Sequence, residues 1–253
     1  MKQMSKLTIL GSGTLDITKD QNPSGLLLEV EETKILVDCG FGILRRLMEA
    51  SVDLQTIDAI CISHFHTDHF ADCFALIHSR FVHDLYEKSK HKPVVIIGPK
   101  GIKERYKKWR EIFWPEPGEQ YPVEIQENGD IKLGKVQIRS FPVKHVPWFD
   151  SIAFDAEFAK KKIIYTGDIG MSTDLKKLSK HCQNATLLIT EATYDKATQN
   201  HLSIDQVLGL VESAKVKRCL MVHTRPFQAE RVKKVLSKHE KANLAYDRME
   251  INL

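Results

Sequence analysis

His64-Phe65-His66-Thr67-Asp68-His69 follows directly on the apolar run Ala59-Ile60-Cys61-Ile62 and on Ser63, so three imidazoles and one carboxylate fall within six residues. The apolar run reads as a buried strand that Ser63 ends. In extended chain His64, His66 and Asp68 share a face, because strand side chains alternate. A tight turn past the strand end then brings His69 around. Imidazole nitrogen and carboxylate oxygen are the donors zinc prefers, and the stretch is a candidate metal-binding motif.

A single loop does not complete a dinuclear site, and further ligands are expected at other strand ends. His145 follows the strand-like Val136 to Val143, Asp168 follows Ile163-Ile164-Tyr165-Thr166-Gly167, and His223 follows Leu220-Met221-Val222. Each occupies the turn just past a buried strand, where α/β folds place functional groups. Other strands are expected at Leu7 to Leu10, at Leu26 to Val30 and Lys34 to Asp38 (a hairpin around Glu31-Glu32-Thr33), and at Val94 to Ile97. Beyond a proline- and glycine-containing segment around Trp114 to Pro122, strands are expected at Val136 to Phe141, Ile152 to Phe158, Lys162 to Thr166, Leu187 to Thr190 and Cys219 to Val222. Helices are expected at Ile43 to Ala50, through Asp72 to Ile77, after the capping box Ser203-Ile204-Asp205-Gln206, and from Phe227 to His239. The strands form two groups with flanking helices. This is an α/β pattern, a four-layer αβ/βα sandwich of two packed mixed β-sheets, read as a single domain over residues 1–253.

The chain has 253 residues, 42% hydrophobic and 28% charged, an ordinary composition for a protein with a substantial core. A net charge of +4 suits an anionic substrate without demonstrating a nucleic-acid surface. Five cysteines, Cys39, Cys61, Cys73, Cys182 and Cys219, are scattered and odd in number, which fits a reducing compartment. No stretch reads as a signal peptide or membrane span, so a cytoplasmic protein without membrane contact is expected.

In their order, the HxHxDH stretch, the lone His145, Asp168 in a Gly-Asp turn and the final His223 resemble the metallo-β-lactamase fold hydrolases. The resemblance runs from Gly11-Ser12-Gly13 to the His223 region. It implies that His64, His66 and His145 hold one metal and that Asp68, His69 and His223 hold a second, with Asp168 bridging. It also implies two zinc ions, with manganese or ferrous iron as alternatives. Family members with redox iron usually carry Glu where this chain has His66, which favours zinc and hydrolysis. Asp68 has a second implied role, orienting the attacking hydroxide or taking its proton.

Thr190-Glu191-Ala192-Thr193 and His201-Leu202-Ser203 resemble the His-Glu-Ala-Thr and His-Ser-Thr loops of ribonuclease Z proteins, with Thr190 and Leu202 as departures. The surviving pair implies that Glu191 and His201 protonate the leaving oxygen, a role suited to an imidazole held by a carboxylate. The glycine-rich exosite arm that grips transfer RNA lies between His145 and Asp168 in the bacterial form; here that interval is short. The resemblance therefore implies a phosphodiesterase acting on RNA or on a small, cyclic nucleotide, with weak precursor-tRNA processing and homodimer formation left open. The alternatives are a hydrolase of lactones, thioesters or β-lactams, and a non-catalytic binding module. Lys100 to Trp114 reads as a basic helix that either packs its aromatic face or binds nucleic-acid phosphates. Trp148 and Phe149 are placed to line the site mouth. His78, His83, His91, His181 and His239 are expected in solvated or capping roles.

Overall fold

The structure, a computed structural model, describes residues 5–90, 92–114 and 121–253. Most of the expected proline- and glycine-containing segment, and His91, lie outside the described residues.

The first half of the chain runs β1 (Ser5–Gly11), β2 (Gly25–Val30), β3 (Thr33–Val37), α1 (Ile43–Glu49), β4 (Ala59–Cys61), α2 (Thr67–Phe70), α3 (Cys73–Glu87), β5 (Val94–Gly98), α4 (Ile102–Phe113) and β6 (Val123–Glu127). The second half runs β7 (Asp130–Leu133), β8 (Val136–Val143), β9 (Ser151–Phe158), β10 (Lys161–Tyr165), α5 (Leu175–His181), β11 (Leu187–Glu191), α6 (Ile204–Ser213), β12 (Cys219–Val222), α7 (Ala229–Leu236), β13 (Ala242–Leu244) and β14 (Glu250–Asn252). They build two seven-stranded sheets, ordered β14-β1-β2-β3-β4-β5-β6 and β13-β12-β11-β10-β9-β8-β7. Both are mixed: β1 to β3 pair antiparallel and β3 to β6 parallel, while β7 to β10 pair antiparallel and β10 to β13 parallel.

Strand alternation sorts each sheet's side chains between two cores. Leu7, Ile9, Leu28 and Ile35 from the first sheet meet Ile138, Phe154, Ile163 and Leu220 from the second, forming the central core. Leu27, Leu36, Ile60 and Ile96 face the other way, onto Leu47, Phe74 and Ile77 of the first half's helices. Ile164, Leu188 and Met221 face Leu178, Val207 and Val232 of the second half's helices. Full burial of a Leu or Ile side chain contributes roughly 1.5–3 kcal/mol, so both faces of the central strands hold the four layers together.

Strands β6, β7, β13 and β14 were not expected, and they form the four sheet edges. Each is only three to five residues long and partly exposed, so none carries a continuous apolar run. The Phe227 to His239 expectation needs correction. Pro226 starts a 3₁₀ turn over Pro226–Gln228, and the helix covers only Ala229–Leu236. His78 and His181 are likewise not simply solvated: their rings stack on Trp114 at 4.7 Å and on Phe141 at 4.2 Å.

In α4 part of the aromatic face packs on α3. Tyr106 and Trp109 meet Phe74 at ring distances of 5.2 and 5.8 Å. Lys108 pairs with Glu104 at 2.8 Å, and Arg105 stacks on Phe65 at 3.8 Å. Phe113 is 62% exposed, and the fully buried aromatic at this helix end is Trp114. Among the described residues no helix is long and apolar enough to cross a membrane.

Candidate metal centre

The HxHxDH stretch leaves β4 at the edge of the central core, but it does not stay extended. Thr67–Phe70 forms the short helix α2, so Asp68 and His69 arrive on a helical turn rather than by strand alternation. From the second sheet, His145 lies just past β8, Asp168 past β10, Glu191 at the end of β11 and His223 past β12. Gly167 allows the two sheets to meet here. Its φ is +59°, and an added Cβ would lie 2.7 Å from the Ser63 Cβ of the first sheet.

The seven expected ligands come together in two groups. His64, His66, His145 and Asp168 offer donor atoms within 4.8 Å of one another, and so do Asp68, His69 and His223. Nε2 of His64 and Nε2 of His145 approach the His66 Nδ1 at 3.1 and 3.2 Å. Asp168 divides its carboxylate between the groups. Its Oδ2 lies 3.9 Å from His64 and 3.7 Å from His145, while its Oδ1 lies 3.6 Å from His69 and 3.5 Å from His223. Asp68 Oδ2 stands 3.1 Å from His223 Nε2 and 3.8 Å from His69 Nε2.

The rings are oriented from behind. His145 Nδ1 donates to the Asn200 carbonyl at 2.8 Å, and His69 Nδ1 donates to Asp38 Oδ2 at 2.7 Å. Ser63 Oγ donates to Asp38 and lies 3.0 Å from His64 Nδ1. Each anchor fixes the tautomer and turns Nε2 inward as a lone-pair donor. Asp38 also accepts from the Ser63 backbone N–H at 2.7 Å and the Tyr165 hydroxyl at 2.6 Å. The sequence reading treated Asp38 only as a strand end. The available signal was a carboxylate closing the buried strand Ile35-Leu36-Val37 with no partner nearby in sequence.

Electrostatics match the geometry. Burial, helped by the neighbouring His69 charge, holds His64 well below its ordinary pKa, and burial lowers His66 and His145 too. These imidazoles are neutral and available as ligands at pH 7. Burial works against ionisation of Asp168, but His223, His69, His64 and His145 outweigh it and hold the carboxyl well below its usual range. Burial would lower His69, yet Asp168, Asp38 and Asp68 raise it to about 10. A cluster that pulls a proton onto a fully buried imidazole has a negative potential suited to a cation. Asp68 Oδ1, His69 Nε2 and Asp168 Oδ1 are buried without a hydrogen-bond partner. Such atoms are costly unless something else satisfies them, and a divalent metal does so.

Beside the cluster, His201 Nδ1 donates to Glu191 Oε2 at 2.5 Å. Glu191 is 1% exposed and also accepts from the Ile169 backbone and the Thr193 hydroxyl at 2.8 and 2.6 Å, so its position is fixed. Burial opposes the His201 cation, and the Glu191 carboxylate overcomes that and raises its pKa. His201 also offers a donor atom within 4.8 Å of Asp168 and His223. An open cleft of about 300 Å³ exposes the site and is lined by His66, Asp68, His201, Trp148, Tyr194 and Arg225 among others. Trp148 stands at the mouth as expected, whereas Phe149 packs on His64 and His66 at 5.9 and 5.0 Å and backs the site.

Known proteins share this architecture. Residues 33–224 match the family model described as a beta-lactamase superfamily domain. A ribonuclease Z of Ignicoccus hospitalis is 23% identical over 274 positions, covering 87% of each chain. The crystal structure of the metallo-beta-lactamase fold protein YhfI from Bacillus subtilis is similar over 100% of both chains, with a TM-score of 0.82 and 20% identity. Human tRNase Z, short form, reaches a TM-score of 0.78 at 22% identity over 97% of this chain and 98% of its own. With the superfamily match spanning most of its length, this chain belongs to the beta-lactamase superfamily and carries the metallo-β-lactamase fold, and it is similar to ribonuclease Z proteins over most of their length.

Proposed function

We propose that the chain is a dinuclear zinc-dependent phosphodiesterase, acting on RNA or a small nucleotide phosphodiester in the cytoplasm. One ion is assigned to His64, His66 and His145, and the other to Asp68, His69 and His223, with Asp168 serving both. When bound, such a pair supplies Lewis acidity and lowers the pKa of water towards about 7. Asp68, bordering the cleft, orients the attacking water and takes its proton. Asp38 and Asn200 keep His69 and His145 in register. His201, held at Nδ1 by Glu191, gives a proton from its other nitrogen to the departing oxygen.

The observation that carries this reading is the Glu191–His201 pair at 2.5 Å beside the ligand cluster. An alkoxide leaving group needs a proton donor, and a raised imidazole pKa keeps one available. The five free, buried cysteines agree with a reducing compartment.

A substrate panel tests the proposal: zinc-loaded protein against bis-p-nitrophenyl phosphate, a dinucleotide, a cyclic nucleotide, a lactone and a precursor tRNA. Phosphodiester turnover is expected, with poor precursor-tRNA cleavage, since β9 and β10 fill the interval where the bacterial arm would insert. Lactone turnover without phosphodiester turnover overturns the assignment.

A further inference from the structure

Arg225 lies two residues past His223 and lines the same cleft. Pro226 follows it, and residue 225 is extended at φ −67°, ψ 142°, as a following proline favours. Its Nη1 donates to the Tyr194 hydroxyl at 2.9 Å. Its guanidinium lies 5.1 Å from the Phe227 ring centre and 5.7 Å from that of Tyr194. Among the described residues no carboxylate pairs with it; Asp195, next to Tyr194, pairs with Arg231 at 2.7 Å. A half-buried cation is thus held by aromatic neighbours in a cleft rich in carboxylates, with most of its N–H donors uncommitted.

Position indicates the role. The His201 ring lies 5.0 Å from His145 and 6.0 Å from His223, and the Tyr194 ring lies 5.4 Å from His201. Arg225 contacts Tyr194, whose ring contacts His201, so the guanidinium sits on the proton donor's side of the cleft. A group there meets not the phosphate under attack but its neighbour. Guanidinium binds phosphate through paired, charge-assisted hydrogen bonds, and a side chain already oriented loses little entropy in doing so.

We propose that Arg225 is a subsite for a second phosphate flanking the scissile phosphodiester. The favoured substrate is then the end of an oligonucleotide or a phosphorylated dinucleotide, not a cyclic mononucleotide with a single phosphate. This rests on the phosphodiesterase reading above and narrows it.

The test uses zinc-loaded full chain and three substrates: a dinucleoside monophosphate, the same with a 5′-terminal phosphate, and the same with a 3′-terminal phosphate. The wild type is expected to favour one phosphorylated form by about 10-fold in kcat/KM, mostly through KM, the size of one good charge-assisted contact. Arg225→Gln is expected to abolish that preference while leaving turnover of the unphosphorylated form within about 3-fold. Arg225→Lys, keeping charge without the fork, is expected to retain part of it. No preference in the wild type, a preference that survives in Arg225→Gln, or an equal loss on all three substrates each overturns the subsite while the phosphodiesterase reading stands. Absence of cleavage of any substrate overturns both.

Discussion

Two regions of this molecule bury charge, and they do it in opposite ways. Arg80 in α3 is 0% exposed. Its Nε donates to the Tyr121 hydroxyl at 2.8 Å, its Nη1 to the Leu54 and Ile57 carbonyls at 2.9 and 2.6 Å, and its Nη2 to the Lys92 carbonyl at 2.9 Å. Every nitrogen has a protein partner, and the cluster serves the fold. The metal centre instead holds five imidazoles and two carboxylates and leaves three of their buried atoms unpartnered. Completeness marks a structural ion; incompleteness at this burial marks a place for something the chain does not encode.

The contrast is sharpest in paired substitutions. Asp168→Ala is expected to lose more metal than any other single ligand change, exceeding the ~10²-fold affinity loss typical of outer residues, with activity falling in step. Elemental analysis after dialysis checks it, and two retained metals would remove Asp168 from the bridging role. Chelation should lower the Tm of the wild type and zinc should restore it, by an amount equivalent to about 4 kcal/mol at a thousandfold excess over Kd. That metal-dependent shift should nearly vanish in Asp168→Ala and persist in Arg80→Leu.

His201→Ala is expected to cost about 10²–10⁴-fold on a ribose phosphodiester and little on bis-p-nitrophenyl phosphate, since p-nitrophenolate leaves without a proton. Metal content should stay constant. Loss of metal would recast His201 as a ligand, which its nearness to Asp168 and His223 makes a real test. Arg80→Leu should break the other half of the comparison. It orphans several buried acceptors and is expected to cost roughly 3 kcal/mol, a Tm drop of roughly 6–12 °C, with metal stoichiometry unchanged. Smallest is Glu191→Gln, expected to cost about 10-fold on the ribose substrate because it only orients and charges the imidazole.

The ligand-bearing ends of β4, β10 and β12 were legible because each closes a run buried on both faces, where a histidine or aspartate stands out; His145 follows β8, whose burial alternates, and stood out as a lone histidine just past a strand. The Glu191–His201 pair was legible only through its resemblance to ribonuclease Z loops. Asp38 was not legible. Its partners His69 and Tyr165 lie 31 and 127 residues away, and no local pattern encodes contacts across two sheets. The helical turn α2 was missed because alternation was carried one step too far, through Thr67. The edge strands were missed for a different reason: a polar, half-exposed edge discourages pairing with other chains, and that same polarity erases the apolar signature by which strands are read.

The pairing of β1 with β14 also has a consequence for the order of biosynthesis. Lys6 lies opposite Asn252 and Leu7 opposite Ile251, so β1 receives its outer neighbour from a strand synthesised long after it. A nascent chain halted before residue 223 already carries the HxHxDH turn, His145 and Asp168, but lacks His223 and the sheet edge that shields β1. Such a chain exposes an open strand and an incomplete metal cluster together, the state in which long-range β topologies are most prone to wrong association. Closure of the sheet and completion of the cluster therefore both wait for residues 223–252 to emerge.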